Sequence, residues 1–278
     1  MNVAFLYDFD KTLTPRDMQE YGFIEALGII EANEFWTLVT KTAEDEAMDR
    51  ILSYLYVMVK QAKQKGLKLT REMLASFGPQ VTFYPGVTEW FSAVNEIGRT
   101  MGIEVQHYIV SSGLKEIIDA TPIADEFKRI YACEFLYDEN GEAIWPKLTI
   151  NYTNKMQFIF RVNKGILDIN NDVDLNSYMS EEARPVPLNN MVYFGDGLTD
   201  VPSMKLVKTS GGHSIAVYTE TSRMAAEILA QHGRVDFIAP ADYSTDSQLM
   251  DIVKRILKHL AALNELRNVT WKGEVHHD

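Results

Sequence analysis

Short apolar runs alternate with long amphipathic stretches along the chain. Residues 2–7, 103–110, 190–194 and 214–218 are rich in apolar side chains, as expected for strands that are buried on both faces of a parallel sheet. The helical pattern at 87–100 leads directly into the second of these runs, and a helix followed by a strand is typical of a parallel-sheet crossover. The pattern therefore predicts an α/β fold with a doubly wound parallel sheet, in which residues 2–7 form a central strand.

Residues 15–83 have a different texture. Apolar residues recur there at steps of three and four, with few glycines or prolines, which predicts helices. We expect one helix to end near Gly66 and the next to be capped by Thr70. The sequence thus predicts an all-helical insert within an α/β core that comprises residues 1–14 and 84–278.

The second half of the chain is expected to continue the core. Residues 129–150 have the pattern of short strands joined by the turn Asp-Glu-Asn-Gly at 138–141, and a helix is expected over 154–162. A polar, acid-rich insertion follows at about 168–187. A long amphipathic helix is predicted for 247–267, near the carboxyl end.

Composition and charge limit the function classes. The chain has 27 lysines and arginines against 39 acidic residues, and the net charge of −12 argues against binding to nucleic acid or an anionic membrane surface. Cys133 is the sole cysteine, which excludes an intrachain disulfide, and the amino terminus lacks the basic start of a secretory signal. The densest apolar run, 51–59, is too short to cross a bilayer. We expect a soluble, cytoplasmic protein; the sequence does not indicate its oligomeric state.

Three of the apolar runs end in polar residues that can carry chemistry. They are Asp8 and Asp10 after residues 2–7, Ser111, Ser112 and Gly113 after 103–110, and Asp196 and Asp200 after 190–194. The carboxyl ends of parallel strands meet at one edge of the sheet, where doubly wound folds bind their ligands. Carboxylates gathered at one edge repel one another unless a cation is present, and oxygen ligands suit Mg²⁺. The sequence therefore predicts a magnesium site at this edge.

The order of the motifs resembles that of a known family. DFDKTLT at 8–14, IVSSG at 109–113, a lysine before an apolar helix and GDGLTD at 195–200 look like the four motifs of the haloacid dehalogenase superfamily of phosphohydrolases. The helical insert directly after the first motif resembles the cap of the phosphoserine phosphatase-like branch. The resemblance implies a Rossmann-like sheet, a cap at 15–83, Mg²⁺ as cofactor and an aspartyl-phosphate intermediate.

Within this resemblance, Asp8 is the nucleophile and Asp10 is the general acid and base, which also lends its backbone carbonyl to Mg²⁺. Thr12 steadies the loop. The segment starting at Asp10 also resembles the DKTGT motif of cation-transporting ATPases, which would make Asp10 the nucleophile. We prefer Asp8 because it comes first after the strand, and because an acid two residues beyond the nucleophile can move the protons that hydrolysis requires.

The resemblance also implies roles for the later motifs. Ser111 hydrogen-bonds the transferring phosphoryl group, with the backbone amides of Ser112 and Gly113 close to it at a helix start. Asp196 ligates Mg²⁺, and Asp200 supports the metal shell.

The third motif is only a lysine at a loosely defined place. We prefer Lys155, which begins a predicted helix, and Lys164 is the alternative. Its role would be to offset the charge of the nucleophile and to hold the phosphate.

Substrate selectivity is the least defined part of the prediction. Lys11 stands where phosphoserine phosphatases usually carry a small residue, and Asp17 stands where they use a glutamate for the substrate amine. Serine phosphate is therefore not named as the substrate. Arg16 and Asp17, next to the catalytic loop, are the only candidate substrate contacts from the insert, whose aromatic residues, such as Trp36 and Tyr54, we expect to pack between helices.

The favoured function is a magnesium-dependent phosphomonoesterase that acts on a small phosphorylated metabolite. A phosphotransferase or mutase on the same fold is one alternative, and a catalytically silent binding or regulatory protein is another. Dehalogenation is disfavoured because attack on a carbon halide does not need the acid that Asp10 supplies.

Overall fold

A single sheet organises the computed structural model, which describes residues 1–267 and residue 269. Its strands are β1 (Asn2–Tyr7), β2 (Glu104–Leu114), β3 (Arg129–Tyr137), β4 (Ala143–Leu148), β5 (Met191–Gly195), β6 (His213–Tyr218) and β7 (Phe237–Pro240). They lie in the order β4-β3-β2-β1-β5-β6-β7. All neighbours run parallel except β3 and β4. The predicted doubly wound α/β fold is confirmed, with an antiparallel strand added at one edge because a short hairpin turn cannot join parallel strands.

Helices cover the sheet and fill the long connection after β1. They are α1 (Phe23–Ala26), α2 (Ala32–Asp45), α3 (Arg50–Gln64), α4 (Arg71–Ala75), α5 (Val87–Thr100), α6 (Lys115–Ile118), α7 (Lys155–Lys164), α8 (Asp172–Asn176), α9 (Val201–Thr209), α10 (Arg223–Gln231) and α11 (Gln248–Arg267). Strand β7 and helices α9 and α10, which span 4, 9 and 9 residues, are elements that the sequence pattern did not predict. No helix in the described range is both long and apolar enough to cross a bilayer.

Strand β1 is the centre of the fold. Residues 3–7 are fully buried, as their unbroken apolar run predicts. Strand β1 pairs with β2 on one side and with β5 on the other, so the strand order reverses at β1. Such a switch point leaves a crevice beyond the carboxyl ends of the strands, and Asp8 is the first residue to enter it.

The connection from β1 to α5 is mainly helices and turns, with isolated β-bridges, one of which pairs Thr70 with Glu142. Asp49 caps α3 by accepting hydrogen bonds from the amides of Ile51 and Leu52, and Thr70 caps α4 by accepting from the Met73 amide at 3.1 Å. The predicted cap at Thr70 therefore forms. The assignment of residues 15–83 to a separate cap domain stays a prediction. Residues 268 and 270–278, which belong to the predicted core, lie outside the described residues.

Strand β2 continues further than predicted. It was expected to end at residue 110, but it extends to Leu114, with an irregular register against β3 between Val110 and Leu114. Helix α6 begins only at Lys115. Ser112 and Gly113 are therefore part of a strand, and the prediction that they lie at a helix start is wrong.

The acid-rich insertion after α7 is held by two cations of that helix. Arg161 is buried and donates to the Asp168 carbonyl oxygen at 2.6 Å and to Asp172 Oδ1 at 2.7 Å. Lys164 Nζ donates to the Leu175 carbonyl oxygen at 2.6 Å. The insertion thus packs on the carboxyl end of α7, where positive side chains also suit the helix dipole.

A chain of hydrogen bonds runs beneath β1 through buried aromatic side chains. Trp90 Nε1 donates to the Tyr7 hydroxyl at 2.9 Å, which lies 3.0 Å from His107 Nδ1. His107 Nε2 lies 3.0 Å from Asn95 Oδ1. Because the amide oxygen can only accept, the proton of a neutral His107 belongs on Nε2, and Nδ1 accepts from Tyr7. Burial lowers the pKa of His107 to about 3.

Replacing His107 with Gln should remove part of the acid sensitivity of folding. Between its unfolded pKa of about 6.5 and its folded pKa of about 3, the unfolded chain binds more protons, so stability is lost as the pH falls. This group alone should cost the native protein about 2 kcal/mol between about pH 7 and about pH 5. Urea unfolding across that range measures the difference. The exposed His232→Gln variant is the control, and equal pH dependence in the native and His107→Gln proteins would contradict the assignment.

Candidate active site

The loop that follows β1 is fixed by apolar anchors. The amide of Asp8 donates to the Phe194 carbonyl oxygen at 2.9 Å, and the amide of Leu13 donates to the Phe9 carbonyl oxygen at 2.8 Å. Phe9 and Leu13 are fully buried. Between them, Lys11 has a φ of 60°, a left-handed conformation that costs a non-glycine residue about 1–2 kcal/mol. The loop is therefore a tight, partly strained turn whose polar side chains are held at the sheet edge.

Three carboxylates converge at this edge. Asp8, Asp196 and Asp200 each offer an oxygen atom, and these atoms all lie within 4.8 Å of one another. Lys155 Nζ lies 3.0 Å from Asp8 Oδ1 and 2.7 Å from Asp200 Oδ1, and its side chain is fully buried. The Tyr193 hydroxyl donates to the same Asp200 oxygen at 2.8 Å. We call Asp8, Asp196 and Asp200 the carboxylate cluster.

Glycines make room for these side chains. A Cβ atom on Gly195 would lie 2.5 Å from Asp200 Oδ2, so any larger residue would push Asp200 away from Lys155. A Cβ atom on Gly113 would lie 3.0 Å from Asp10 Oδ2 and would overlap the Met18 side chain. Gly113 and Gly195 therefore act as spacers beside the aspartates.

The positive charge of Lys155 does not fully offset the negative charge of the carboxylate cluster. Burial, and then the charge of Asp200, raise the pKa of Asp8 to about 6, although Lys155 opposes this. Burial, followed by the charges of Asp200 and Asp8, raises the pKa of Asp196 to about 8. Among the described residues, Asp200 Oδ2 is buried without a hydrogen-bond partner. These features fit a hard divalent cation such as Mg²⁺, which takes oxygen ligands and would neutralise the repulsion.

Asp10 lies beside the cluster and is positioned by the backbone. Its Oδ1 accepts from the Met18 amide at 2.8 Å. Burial, and then the charges of Asp17 and Asp8, raise the pKa of Asp10 well above the usual range of a carboxyl group. A raised pKa favours the protonated carboxyl group, which is the form that can donate a proton to a leaving oxygen.

The second motif faces the same space. Ser111 is buried, and its Oγ accepts from the Gly113 amide at 3.0 Å, so that amide is engaged within the strand. The Ser112 carbonyl oxygen accepts from the Tyr54 hydroxyl at 2.7 Å. Thr12 differs from these residues because it does not line the cavity, and its carbonyl oxygen accepts from the Tyr243 hydroxyl at 2.7 Å. Thr12 is thus placed to hold the loop.

A cavity of about 560 Å³ opens above this edge. Its lining comprises Asp8, Asp10, Lys11, Asp17, Gln19, Trp36, Val39, Thr40, Arg50, Ile51, Tyr54, Ser111, Ser112, Gly113, Tyr152, Asp196, Gly197, Leu198 and Thr199. Lys155 and Asp200 are buried behind Asp8. The structure therefore brings together most of the predicted site residues of the three strand ends, with side chains of α2 and α3 facing them.

The two candidate substrate contacts next to the loop have different positions. Asp17 lines the cavity and forms an ion pair with Lys11, with Oδ2 2.7 Å from Nζ. Burial lowers the pKa of Lys11, but the charge of Asp17 and its hydrogen bond raise it, so the pKa lies above its usual value. Arg16 is exposed, with its guanidinium 4.5 Å from the ring centre of Tyr21, and does not line the cavity.

Sequence reasoning did not single out the residues that face the carboxylates from the helical segment. Arg50 lines the cavity and donates to Thr40 Oγ1 at 3.0 Å. Trp36 and Tyr54 also line it, although they pack against each other with ring centres 6.3 Å apart, as the packing prediction requires. Helix periodicity alone carries no signal that distinguishes a cavity wall from an ordinary packed or solvated face.

The fold and the site together define an α/β enzyme with a carboxylate centre at the ends of its central strands. The chain belongs to the haloacid dehalogenase-like hydrolase family, whose model matches residues 5–205. That range includes Asp8, Ser111, Lys155 and Asp196. The predicted family membership is thereby confirmed.

One curated relative and several solved structures are similar to this chain. An uncharacterised protein of Borreliella burgdorferi is 24% identical over 274 residues, covering 89% of this chain and 93% of its own. A haloacid dehalogenase family hydrolase from Salmonella enterica serovar Typhi has a TM-score of 0.53 at 18% identity; the match covers 80% of this chain and 64% of that one, less than two thirds of its length. A phosphoserine phosphatase, solved as a phospho-aspartyl intermediate analogue, has a TM-score of 0.55 at 18% identity, with coverage of 92% and 99%. These structures share the fold.

Replacing Lys155 with Met should destabilise the protein strongly in the presence of a metal chelator. Removing one partner of a buried ion pair leaves uncompensated charge, which costs about 3–5 kcal/mol. The double variant Lys155→Met, Asp200→Asn should recover part of this loss. The matched control is Lys164→Met, which removes only hydrogen bonds to carbonyl oxygens and should cost about 1 kcal/mol. Urea unfolding measures all three, and equal losses for Lys155→Met and Lys164→Met would contradict a charge network at Lys155.

Proposed function

We propose that this protein is a magnesium-dependent phosphomonoesterase that acts on a small phosphorylated metabolite through an aspartyl-phosphate intermediate. The observation that carries the proposal is the carboxylate cluster, of which Asp8 and Asp196 line a cavity of about 560 Å³ while Lys155 is buried behind Asp8. This cavity has the size of a small-molecule site. A net charge of −12 further disfavours a nucleic-acid substrate.

The nucleophile is Asp8. Its Oδ1 accepts from the Phe9 amide at 2.8 Å and lies 3.0 Å from Lys155 Nζ, which fixes the orientation of the carboxylate. Asp8 Oδ2 forms the bond to phosphorus while the bond to the leaving oxygen breaks. Water then attacks the phosphorus, the bond between phosphorus and Asp8 Oδ2 breaks, and phosphate leaves, so one displacement is divided into two.

Asp10 moves the protons in both steps. With its pKa raised by burial, Asp10 gives a proton to the leaving oxygen, and the resulting carboxylate takes a proton from the attacking water. The Met18 amide holds Oδ1 at 2.8 Å, so Oδ2 is the oxygen that exchanges the proton. Ser111 lines the same cavity and would hydrogen-bond the transferring group.

The magnesium ion would be held by Asp8, Asp196, the backbone carbonyl of Asp10 and, through its support of the shell, Asp200. When bound, it supplies charge neutralisation and in-line orientation of the phosphoryl group. Lys155 holds Asp8 and Asp200 together on the opposite side from the cavity lining and provides fixed positive charge near the nucleophile. A phosphotransferase or a silent binding protein on the same fold would give different results in the experiments that follow.

Aryl phosphate hydrolysis should separate the roles of Asp8 and Asp10. Nitrophenolate leaves without a proton, so Asp10→Asn should release about one equivalent rapidly and then turn over about 10²–10⁴-fold more slowly than native, because the base for water is missing. Asp8→Asn should give neither the burst nor turnover. The exposed Asp125→Asn variant is the control. Stopped-flow absorbance measures both phases.

The opposite outcomes identify the alternatives. If the native protein releases phosphate neither from the aryl ester nor from a panel of phosphorylated metabolites, the phosphatase proposal is wrong and a silent protein is favoured. Product in which the phosphate is moved to another hydroxyl would identify a mutase. A burst in Asp8→Asn would place the nucleophile elsewhere.

Chelation should abolish turnover, and added Mg²⁺ should restore it. Asp196→Asn removes an oxygen of the carboxylate cluster and should raise the Mg²⁺ concentration needed for half-maximal rate by about 10-fold or more. Fluoroberyllate with Mg²⁺ should protect the native protein, but not Asp8→Asn, against thermal unfolding. Full turnover in excess chelator would contradict the proposed role of the cluster.

A further inference from the structure

Lys11 has an unexpected place in the catalytic loop. Its φ of 60° is a conformation that glycine or asparagine adopts with less strain. Its side chain is half exposed, so burial of the side chain does not offset that strain. Strain that persists in a loop beside an active site suggests that the side chain has a task there.

The contact made by Lys11 indicates the task. Its Nζ lies 2.7 Å from Asp17 Oδ2, and both residues line the cavity. Asp17 precedes the short helix Met18–Glu20 at the capping position, yet its side chain makes no capping hydrogen bond. The Asp17 carboxylate is therefore directed to Lys11 instead of to the neighbouring backbone.

The proposed reaction does not use this ion pair. The positive charge next to Asp8 comes from Lys155, and the proton transfers belong to Asp10. The pair lies in the same cavity as Arg50, a second cation. An alcohol bearing an ammonium group would thus meet two cations and a carboxylate that is already paired.

We propose that Lys11 is a specificity-determining residue that neutralises Asp17 and thereby makes the enzyme discriminate against phosphate esters of amino alcohols. The preferred leaving groups are alcohols that are neutral or negatively charged. This inference rests on the phosphatase activity proposed above and concerns only the alcohol side of the substrate. The cations Lys11 and Arg50 would repel the ammonium group of an amino alcohol, and the pairing of Asp17 with Lys11 removes the carboxylate that would attract it. A binding site can reject a competitor by either route.

Three phosphate esters of two-carbon alcohols test the inference. They are 2-aminoethyl phosphate, 2-hydroxyethyl phosphate and phosphoglycolate, whose alcohol parts carry positive, zero and negative charge. The native enzyme should show the lowest kcat/KM for the amino ester. In Lys11→Asn, which keeps a side chain suited to left-handed backbone, the ratio of kcat/KM for the amino ester to that for phosphoglycolate should rise about tenfold, the change that 1.4 kcal/mol produces.

Two further variants show whether Asp17 mediates the change. The double variant Lys11→Asn, Asp17→Asn should lose most of the gain for the amino ester, because the freed carboxylate is what attracts the ammonium group. Lys11→Arg should keep the native ratio. Lys60→Gln removes an exposed cation of α3 outside the cavity lining and is the charge control.

The readout distinguishes selectivity from a general effect. Inhibition constants of the three esters against aryl phosphate hydrolysis give the same ratio even where an ester is not turned over. If Lys11→Asn loses activity equally on all three esters, or leaves the ratio unchanged, the inference is overturned and Lys11 acts on the reaction centre or on the loop. If the native enzyme hydrolyses neither the aryl phosphate nor any ester, the phosphatase proposal itself fails.

Discussion

The buried ammonium group of Lys155 is the interaction on which the site depends. It joins Asp8, at the end of β1, to Asp200, at the start of α9, and α7 must deliver it into a space without water. Burial alone would lower the pKa of Lys155, but the charges of Asp200 and Asp8 raise it above the usual value. Apolar side chains of similar size often stabilise a core as well as a buried ion pair does. The buried charges here therefore indicate a chemical role. The Tyr193 hydroxyl, which donates to Asp200, and Gly195, which leaves space for Asp200, hold the ion pair in place.

The same arrangement leaves negative charge in excess. Lys155 contacts two carboxylates, while Asp196 and Asp10 lie close by with raised pKa values caused first by burial. A protein selected for stability alone would not bury so many like charges. A cation that binds only the folded state would stabilise it by mass action, so the proposed metal links catalysis to folding. The apolar anchoring of Phe9 and Leu13 keeps the loop in place against that repulsion.

The part of the site at the strand ends could be predicted from sequence, and the cavity wall formed by α2 and α3 could not. A strand buried on both faces has an unbroken apolar run, so its end, and hence Asp8, is visible in the sequence. Which residues of α2 and α3 line the cavity depends on how each helix is rotated about its axis. Amphipathic periodicity does not indicate which polar residues face a cavity. Arg16 was favoured for its nearness to the loop, but it lies on Tyr21, whereas Arg50, far along the chain, lines the cavity. Strand β2 extends past its predicted end to Leu114, and its register against β3 is irregular over that extension, which the apolar pattern does not reveal.

Lys11 connects the residues at the strand ends with the cavity wall. By sequence it belongs to the reaction loop, between Asp10 and Thr12, and its side chain pairs with Asp17 on the wall of the cavity. A left-handed residue reverses the local direction of the chain, so Lys11 can point outward while its neighbours stay fixed at the sheet edge. One short turn can thus serve two purposes, since the aspartates require a fixed backbone and selectivity requires a side chain within reach of the leaving group. A change at Lys11 can alter the choice of alcohol while the atoms that carry the phosphoryl transfer keep their positions.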